Sequence, residues 1–210
     1  KEAGAVLYNA SKRVDLTNPE IQINLEVRDK EAYLYTKTED AIGGMPSTSS
    51  GKALALFSGG IDSPVAAFQM LKRGCAVDFL LINLVEEKAF NDVAKIYNYI
   101  ISQYAYNYQP KFYLVDGKAI VKRIKEKVPS SMRQIILKIV FYKIAEKISP
   151  IVVTGESISQ KSSQTLASLQ LISSKSKALV IRPLIGMDKL EITNIARGIG
   201  TLASSEKVKE

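Results

Sequence analysis

The residues most suited to chemistry form one short string, Ser58-Gly59-Gly60-Ile61-Asp62-Ser63, which Pro64 follows. Its two glycines let the backbone approach a ligand closely and adopt positive φ angles. Ser58 and Ser63 offer hydroxyl donors, and we predict Ser63 as the N-cap of a helix with Pro64 at the first helical position. The exposed amides and the dipole of such a helix terminus favour a bound anion.

Asp62 is unusual in a simple anion site, because a carboxylate repels phosphate. Its presence makes sense if it holds Mg²⁺ or orients the amides of the loop. A tight Gly-Gly turn capped by serine is the purely structural alternative. The string follows an apolar run at residues 53–57, however, and open α/β sheets bind ligands at the carboxyl end of such strands. We therefore predict a nucleotide site, although the string is neither a Walker A loop nor a Gly-x-Gly-x-x-Gly motif.

The composition excludes several kinds of catalytic site. The chain contains no histidine and a single cysteine, Cys75, so it cannot form an internal disulfide or a Cys/His zinc site. Nucleophile systems that depend on histidine are excluded as well. Catalysis must therefore rely on backbone amides, carboxylates, lysine and arginine side chains and, for phosphate chemistry, Mg²⁺.

The charge distribution points to a polyanionic partner. The formal net charge is +8, and basic residues are concentrated between Lys111 and Lys147, where only Asp116, Glu126 and Glu146 oppose them. A solvated helix face would explain this stretch without any partner. A nucleic-acid surface is the functional interpretation, and both stay open at this point.

The elements that position the loop follow from the hydrophobic pattern. Alternation at residues 21–27 and 32–35 predicts a β-hairpin, and residues 43–51 form a small-residue linker. Beyond it, strands alternate with helices, which predicts an α/β fold with a parallel sheet. The predicted strands are 53–57, 77–84, 112–115, 151–153 and 180–181, and the predicted helices are 64–73, 89–108, 119–127, 132–149 and 190–198.

No apolar run approaches the roughly 18–20 residues that a membrane helix needs, so we expect no membrane association. The first residues, Lys1-Glu2-Ala3, do not resemble a signal peptide. We therefore expect a cytoplasmic location and a chain that is a piece of a longer polypeptide.

Three ordered motifs resemble one known family. The string at residues 58–63 is similar to the pyrophosphate loop of the N-type ATP pyrophosphatases. With Lys72-Arg73-Gly74, it looks like that of the tRNA 4-thiouridine synthetases, the ThiI-type sulfurtransferases. Thr154-Gly155-Glu156-Ser157-Ile158-Ser159-Gln160, with Ser162-Ser163-Gln164-Thr165-Leu166, resembles the family's second motif. Arg182-Pro183-Leu184 through Asp188-Lys189, with Ile199-Gly200-Thr201, resembles its third.

The resemblance implies a domain organisation and a fold. Residues 1–42 would be the C-terminal part of a THUMP RNA-binding domain, residues 43–51 a linker, and residues 52–210 the catalytic domain. That domain would be a Rossmann-like five-stranded parallel sheet of the adenine nucleotide alpha hydrolase-like (PP-loop) type. The implied partners are tRNA and ATP with Mg²⁺, and a homodimer is one of the assemblies that the resemblance allows.

The resemblance also implies site residues. Asp62 would be catalytic. Leu81 and Ile82 align with positions that flank the adenosine, although plain strand core would explain them equally well. Glu156 and Ser157 would belong to the site or serve only as helix caps. The implied nucleotide-binding residues are Leu56, Phe57, Ser58, Gly59, Gly60, Asp62, Ser63, Leu81, Ile82, Lys138, Gly155 and Gln164.

The chain departs from the family pattern in its sulfur chemistry. Bacterial members relay sulfur through a cysteine beyond the third motif, and some archaeal members use a Cys-x-x-Cys pair, but residues 200–210 contain neither. We predict that Cys75 is a buried small hydrophobe. Sulfur would therefore come from an external persulfide or sulfide donor. Another ATP pyrophosphatase acting on a small molecule, or a tRNA-binding module without sulfur transfer, remain the alternatives.

Overall fold

The computed structural model describes residues 2–8, 10–11, 13–84 and 87–208. The chain forms two compact units, Lys1–Gly43 and Gly44–Glu210. Among the described residues, no helix is both long enough and apolar enough to cross a membrane.

The smaller unit contains helix α1 (Glu2–Tyr8) and the antiparallel strands β1 (Asn24–Arg28) and β2 (Glu31–Tyr35). The predicted hairpin is confirmed, but its first strand starts later than expected. The turn consists of Asp29 and Lys30 alone, and Asp29 has a φ of 49°. Asparagine and aspartate tolerate this left-handed conformation better than most residues, which is why two residues suffice.

The larger unit is a three-layer α/β structure. Its strands are β3 (Lys52–Leu56), β4 (Ala76–Asn83), β5 (Phe112–Asp116), β6 (Ile151–Val153) and β7 (Leu179–Ile181). Its helices are α2 (Asp62–Lys72), α3 (Glu87–Tyr104), α4 (Lys118–Lys127), α5 (Arg133–Ala145), α6 (Leu166–Ser174), α7 (Lys189–Gly198) and the short α8 (Leu202–Ser205). Two 3₁₀ turns lie at Ser130–Met132 and Ser162–Gln164.

The five strands are parallel, in the order β5-β4-β3-β6-β7, which confirms the predicted sheet. From β3 the chain moves outward through β4 to β5, and it then returns to place β6 on the other side of β3. The direction of winding therefore reverses between β3 and β6. In sheets of this kind, the loops after the two strands that flank this point separate and leave a crevice for a ligand.

Both faces of the sheet are covered, so β3 is buried on both sides as its apolar sequence predicts. Ala53 and Ala55 face a large core that α2, α3 and α7 complete. Leu54 faces a smaller core with Ala145 of α5 and Val152 of β6. The larger core is rich in aromatic contacts, such as the edge-on pair of Phe57 and Phe79, with ring centres 5.2 Å apart.

Helix α2 ends as predicted but begins differently. Gly74 has a φ of 78°, its amide donates to the carbonyl of Leu71, and the Cys75 amide donates to the carbonyl of Met70. These two bonds form a Schellman cap. The prediction of Ser63 as the N-cap, with Pro64 first in the helix, is wrong: the helix begins at Asp62, and no side chain caps it. The Ser63 hydroxyl has a different partner, described below.

Residues 44–51 are part of the larger unit and pack against the end of α2. The amide of Met45 donates to the carbonyl of Lys72, and the amide of Ser50 donates to the carbonyl of Gly74, each at 2.9 Å. The segment therefore covers the C-terminal end of α2. The assignment of these residues to a linker, and the domain boundaries, stay predictions.

The remaining differences lie in the helices. The predicted helix 132–149 is shorter, because a 3₁₀ turn replaces its start and α5 ends at Ala145. The last long helix ends in a Schellman cap at Gly200, with a φ of 79°, so Gly198 lies inside the helix. The sequence patterns did not predict α6, which is rich in serine.

Candidate active site

A cavity of about 410 Å³ opens at the carboxyl edge of the sheet, where the winding reverses. The loops after β3 and β6 form two of its walls, and side chains of β4 and α5 form the others. Its volume lies within the range that small-molecule sites occupy. Of the site residues predicted from the sequence, it is lined by Leu56, Phe57, Ser58, Asp62, Ser63, Leu81, Ile82, Lys138, Gly155 and Gln164.

Gly59 and Gly60 are the predicted residues that do not line this cavity. Gly59 has a φ of 80°, and a Cβ atom there would lie 2.7 Å from Cγ2 of Val93, so both conformation and space require glycine. Gly60 does not share this conformation, so the expectation of positive φ at both glycines is wrong for Gly60. Gly60 instead lines a neighbouring cavity together with Asp62 and Lys189.

The two serines of the loop hold its shape. The amide of Ser58 donates to Oγ of Ser63 at 3.1 Å, and the two hydroxyl oxygens lie 3.4 Å apart. Ser63 is buried in the first turn of α2, so its hydroxyl closes the loop onto the helix. The turn thus presents its remaining amides, with the positive end of the helix dipole behind them, to an anion in the cavity.

Gly155 lets the loop after β6 touch the first turn of α2. A Cβ atom at this position would lie 2.8 Å from the carbonyl carbon of Asp62 and 3.0 Å from the amide nitrogen of Ser63. Both atoms belong to the backbone and cannot move aside. Glycine is therefore required here by close approach, without an unusual φ angle.

Asp62 is paired with a residue that is distant in sequence. Nζ of Lys189 lies 2.8 Å from Oδ1 of Asp62. Lys189 is the first residue of α7, which begins with a capping box formed by Asp188 and Glu191. Lys189 belongs to the third motif but is not among the site residues predicted from the sequence. Its position adds a lysine beside the loop to the two that line the main cavity, Lys138 and Lys161.

Lys138 belongs to a buried network around the Glu156 carboxylate. Nζ of Lys138 lies 2.7 Å from Oε1 of Glu156, while Oε2 accepts hydrogen bonds from the Tyr142 hydroxyl at 2.6 Å and from Nε of Arg182 at 2.8 Å. Arg182 also donates to Oγ of Ser173. The Glu156 carboxylate, which lines the cavity, thus connects α5 with the segment after β7 and, through Arg182, with α6.

The network sets the protonation of its members. Burial raises the pKa of the Glu156 carboxyl, but the charge and hydrogen bond of Lys138, the hydrogen bond of Tyr142 and the charge of Arg182 outweigh it. The pKa of Glu156 is therefore below its ordinary value. Burial, followed by the adjacent Glu156 charge, raises the pKa of Tyr142. The network holds a deprotonated Glu156, a neutral Tyr142 and two cations.

Glu156 and Ser157 do not cap a helix, so that alternative is wrong. Both are buried, and the Ser157 hydroxyl donates to the carbonyl of Met187 at 2.5 Å. Together they fix the loop after β6 against α5 and the segment before α7. The sequence offered a signal for this role, because these two polar residues come three and four positions after the last residue of a buried strand, at the ligand-binding edge.

The lining suits an adenine nucleotide. Leu81, Ile82 and Phe90 offer apolar surface for a base. Lys138 lines the same cavity, and Lys189 lines the neighbouring one beside Gly60 and Asp62, so both cations are near the loop. Oε1 of Gln164 is buried without a hydrogen-bond partner among the described residues. Such an acceptor costs stability until a donor reaches it, which a ligand would supply.

The donors for a metal ion are few. Among the described residues, no cluster of three or more Asp, Glu, Cys or His side chains could hold one. Mg²⁺ nevertheless often binds through one or two carboxylates plus substrate phosphates, and Asp62 is the carboxylate of the phosphate loop. The site therefore fits Mg²⁺ only as a companion of a bound triphosphate.

Cys75 is buried and free, as predicted. Burial raises the pKa of its thiol, and the positive charge of Arg73 only partly offsets this effect. A buried thiol with a raised pKa is a poor nucleophile. Cys75 does not line the cavity described above, so it is unsuited to carrying sulfur to a substrate there.

Comparison with known proteins gives consistent matches. The family model "Thiamine biosynthesis protein (ThiI)" matches residues 48–210, and the THUMP domain model matches residues 2–37. A tRNA sulfurtransferase of Desulfurococcus amylolyticus is 41% identical over 217 residues, covering 100% of this chain and 45% of the relative. A probable tRNA sulfurtransferase of Saccharolobus solfataricus is 40% identical, covering 100% of this chain and 57% of the relative.

A solved structure agrees with these matches. The crystal structure of a 4-thiouridine synthetase–RNA complex with bound ATP superposes with a TM-score of 0.85 at 35% identity. The match covers 98% of this chain and 56% of that one. The chain thus spans about half the length of the relatives that it matches.

Proposed function

The chain belongs to the thiamine biosynthesis protein (ThiI) family, and from that premise we propose that it is the adenylating part of an ATP-dependent tRNA sulfurtransferase. Its substrate would be a uridine in tRNA, and its products adenylated uridine and pyrophosphate. The observation that carries the proposal is the cavity at the reversal of the sheet, closed by the loop at residues 58–63 and flanked by Lys138 and Lys189.

The proposed reaction has two steps. O4 of the uridine bonds to the α-phosphorus of ATP while the bond from that phosphorus to the β-phosphate oxygen breaks, so pyrophosphate leaves and the N3 proton passes to solvent. The sulfur of sulfide (HS⁻) then bonds to C4, and the bond from C4 to O4 breaks, so AMP leaves with that oxygen. With a persulfide donor, the terminal sulfur forms this bond, and a second thiol of the donor then breaks the remaining sulfur–sulfur bond and becomes part of a disulfide. The 4-thiouridine of the family would result.

The residues of the cavity would act mainly by position and charge. The loop amides and the α2 terminus would bind the phosphates, and Lys189 would neutralise charge that develops on the leaving pyrophosphate. Asp62 would orient Lys189 and hold Mg²⁺, which supplies charge neutralisation when bound. The proposed nucleotide-binding set remains Leu56, Phe57, Ser58, Gly59, Gly60, Asp62, Ser63, Leu81, Ile82, Lys138, Gly155 and Gln164.

The sulfur atom would come from an external persulfide or sulfide donor. Cys75 is the single cysteine of this sequence, and it is buried.

A cytoplasmic location and a homodimer are further parts of the proposal. Analytical ultracentrifugation would test whether the chain forms a homodimer.

The experiment is to measure release of AMP and pyrophosphate with ATP, sulfide and unmodified tRNA. We expect release to depend on tRNA, and Asp62→Ala to lower it at least a hundredfold, because both the lysine and the metal lose their partner. Asp40→Ala is the matched control, since this exposed aspartate lies in the smaller unit.

Two outcomes would contradict the proposal. Release that is indifferent to tRNA, but stimulated by a small molecule, would indicate another ATP pyrophosphatase. The absence of release, with equal tRNA binding by the protein and by Asp62→Ala, would indicate a binding module without this chemistry.

A further inference from the structure

The structure separates the basic residues between Lys111 and Lys147 into two groups. Three of them serve the fold: Arg133 donates to the carbonyls of Lys125 and Val128, Lys138 pairs with Glu156, and Lys143 pairs with Glu146. The basic residues on α4 have no such structural partners. They are exposed, and within residues 87–208 the structure gives them no ion pair. This group, the α4 basic face, consists of Lys118, Lys122, Arg123, Lys125 and Lys127.

The charge of α4 is large for a short helix. Its five basic residues and one acidic residue, Glu126, leave a net charge of +4, half of the +8 of the whole chain. Glu126 lies three and four positions from Arg123 and Lys122, yet it forms no ion pair with either among the described residues. The positive charge is therefore available to a partner.

Part of this arrangement does not serve the helix itself. Lys125 and Lys127 lie in the last turn, where the helix dipole favours a cation, but the other members have no such benefit. Lys118 and Lys122 are four residues apart, as are Arg123 and Lys127, and like charges at this spacing repel across one helical face. Lys118 is also the first residue of α4, where the helix dipole disfavours a cation. The Asp116 carboxylate accepts a hydrogen bond from the Lys118 backbone amide, but it does not pair with the lysine side chain. Stabilising the helix would require acidic residues here.

The first turn of α4 lies next to the candidate active site. The amide of Gly117 donates to the carbonyl of Asn83 at 2.8 Å, and Asn83 lines the cavity. A Cβ atom on Gly117 would lie 2.9 Å from Cγ2 of Ile82, another lining residue. A polyanion that binds along α4 would therefore reach the cavity mouth at the Lys118 end.

We propose that the α4 basic face binds phosphates of the tRNA whose uridine enters the active site. This inference rests on the proposed function and adds the surface that recognises the substrate. Lysine contacts to phosphates supply affinity and position the nucleic acid without reading its sequence. At 3.6 residues per turn, Lys118, Lys122 and Lys125 lie on one side of α4, and Arg123 and Lys127 lie on another. The helix has 10 residues, about 15 Å at 1.5 Å per residue, so it offers phosphates a row of three cations with two more beside it.

The test neutralises the cations that are least useful to the helix. Lys118→Gln/Lys122→Gln is compared with Lys175→Gln/Lys177→Gln, which removes the same charge from an exposed part of the same unit. Direct binding of unmodified tRNA is measured from about 50 to 200 mM salt. We expect the α4 variant to bind at least tenfold more weakly and its salt slope to fall by about 1.4–1.8, at 0.7–0.9 per phosphate contact. The tRNA affinity of the control variant should change less than twofold.

A second readout identifies loss of folding. Removing the repulsion and the unfavourable dipole interaction should leave the melting temperature of the α4 variant equal or higher. Equal binding losses in both variants, or none in either, would overturn the inference. If tRNA binds with the expected salt slopes but no pyrophosphate is released, the proposed function fails and the α4 basic face stands.

Discussion

Glu156 shows how a single residue organises the candidate active site. Its carboxylate is buried, yet the pKa is lowered, because two cations and a tyrosine hydroxyl stabilise the charged form more than burial opposes it. The geometry orients Lys138 beside the cavity. Removing one member of a buried charge network usually costs about 3–5 kcal/mol, because the remaining charges stay uncompensated.

We therefore expect Glu156→Gln to lower the free energy of unfolding by about 3–5 kcal/mol at neutral pH. The lowered pKa of Glu156 also sets the pH dependence. The folded-state pKa lies below the ordinary value of 4.5, so the stabilisation is present above pH 4.5 and is lost as the pH falls through the folded-state pKa.

Urea unfolding measured from pH 7 to pH 3 checks both expectations. The variant should lose less stability than the wild type over the acidic part of this range. Glu206→Gln is a suitable control, since this glutamate is exposed. If the free energy of unfolding depends on pH in the same way in the wild type and in Glu156→Gln, the assignment of a deprotonated Glu156 is contradicted.

At the scale of elements, the site depends on contact between two segments that follow different strands. Gly155, after β6, lies against the backbone of Asp62 and Ser63 in the first turn of α2. This contact closes the crevice at the reversal of winding. A side chain at this position would separate the two loops that form the cavity walls.

Gly155→Ala should therefore impair both stability and nucleotide binding. Overpacking of this kind typically costs about 1–3 kcal/mol, and ATP affinity should fall at least tenfold because the phosphate loop must move. Gly186→Ala is the matched control, because a Cβ atom there would meet nothing within 4 Å. Thermal unfolding and calorimetric titration with ATP distinguish the two variants. Equal ATP affinity in both would show that the contact does not shape the loop.

At the scale of the whole molecule, the two compact units have different roles in the proposal. Every residue that lines the cavity lies in the unit Gly44–Glu210. The smaller unit carries a two-stranded sheet with exposed side chains such as Leu34, and an isolated hairpin is only marginally stable in water. Nucleotide binding should therefore depend on the larger unit alone.

We expect residues 44–210, produced without the preceding segment, to bind ATP with an affinity within about twofold of the whole chain. Binding of tRNA should weaken, since the THUMP match at residues 2–37 would be removed. Calorimetric titration with ATP and filter binding of tRNA test these points separately. A large loss of ATP affinity would mean that the smaller unit contributes to the nucleotide site.

Local sequence determined the features that depend on neighbouring residues. The loop at residues 58–63, the buried strand β3, the hairpin and the glycine cap at Gly74 follow from apolar patterning and backbone conformation. The alternation of strands and helices likewise determined the parallel sheet. Local pattern failed for α6, whose serines are weak helix formers stabilised here by packing of Leu169 and Ile172.

The tertiary structure decided which charged residues meet. Asp62 and Lys189 are 127 residues apart, and Glu156 is 26 residues from Arg182, so no local spacing could predict either pair. Local sequence could not predict the requirement for glycine at position 155 either, because the backbone of another segment leaves no space there for a Cβ atom. The partner of a side chain depends on how the connections between strands place distant segments side by side. Packing of the whole core determines that placement. The sequence thus predicted phosphate binding at residues 58–63, and the fold supplied the charges that surround this loop.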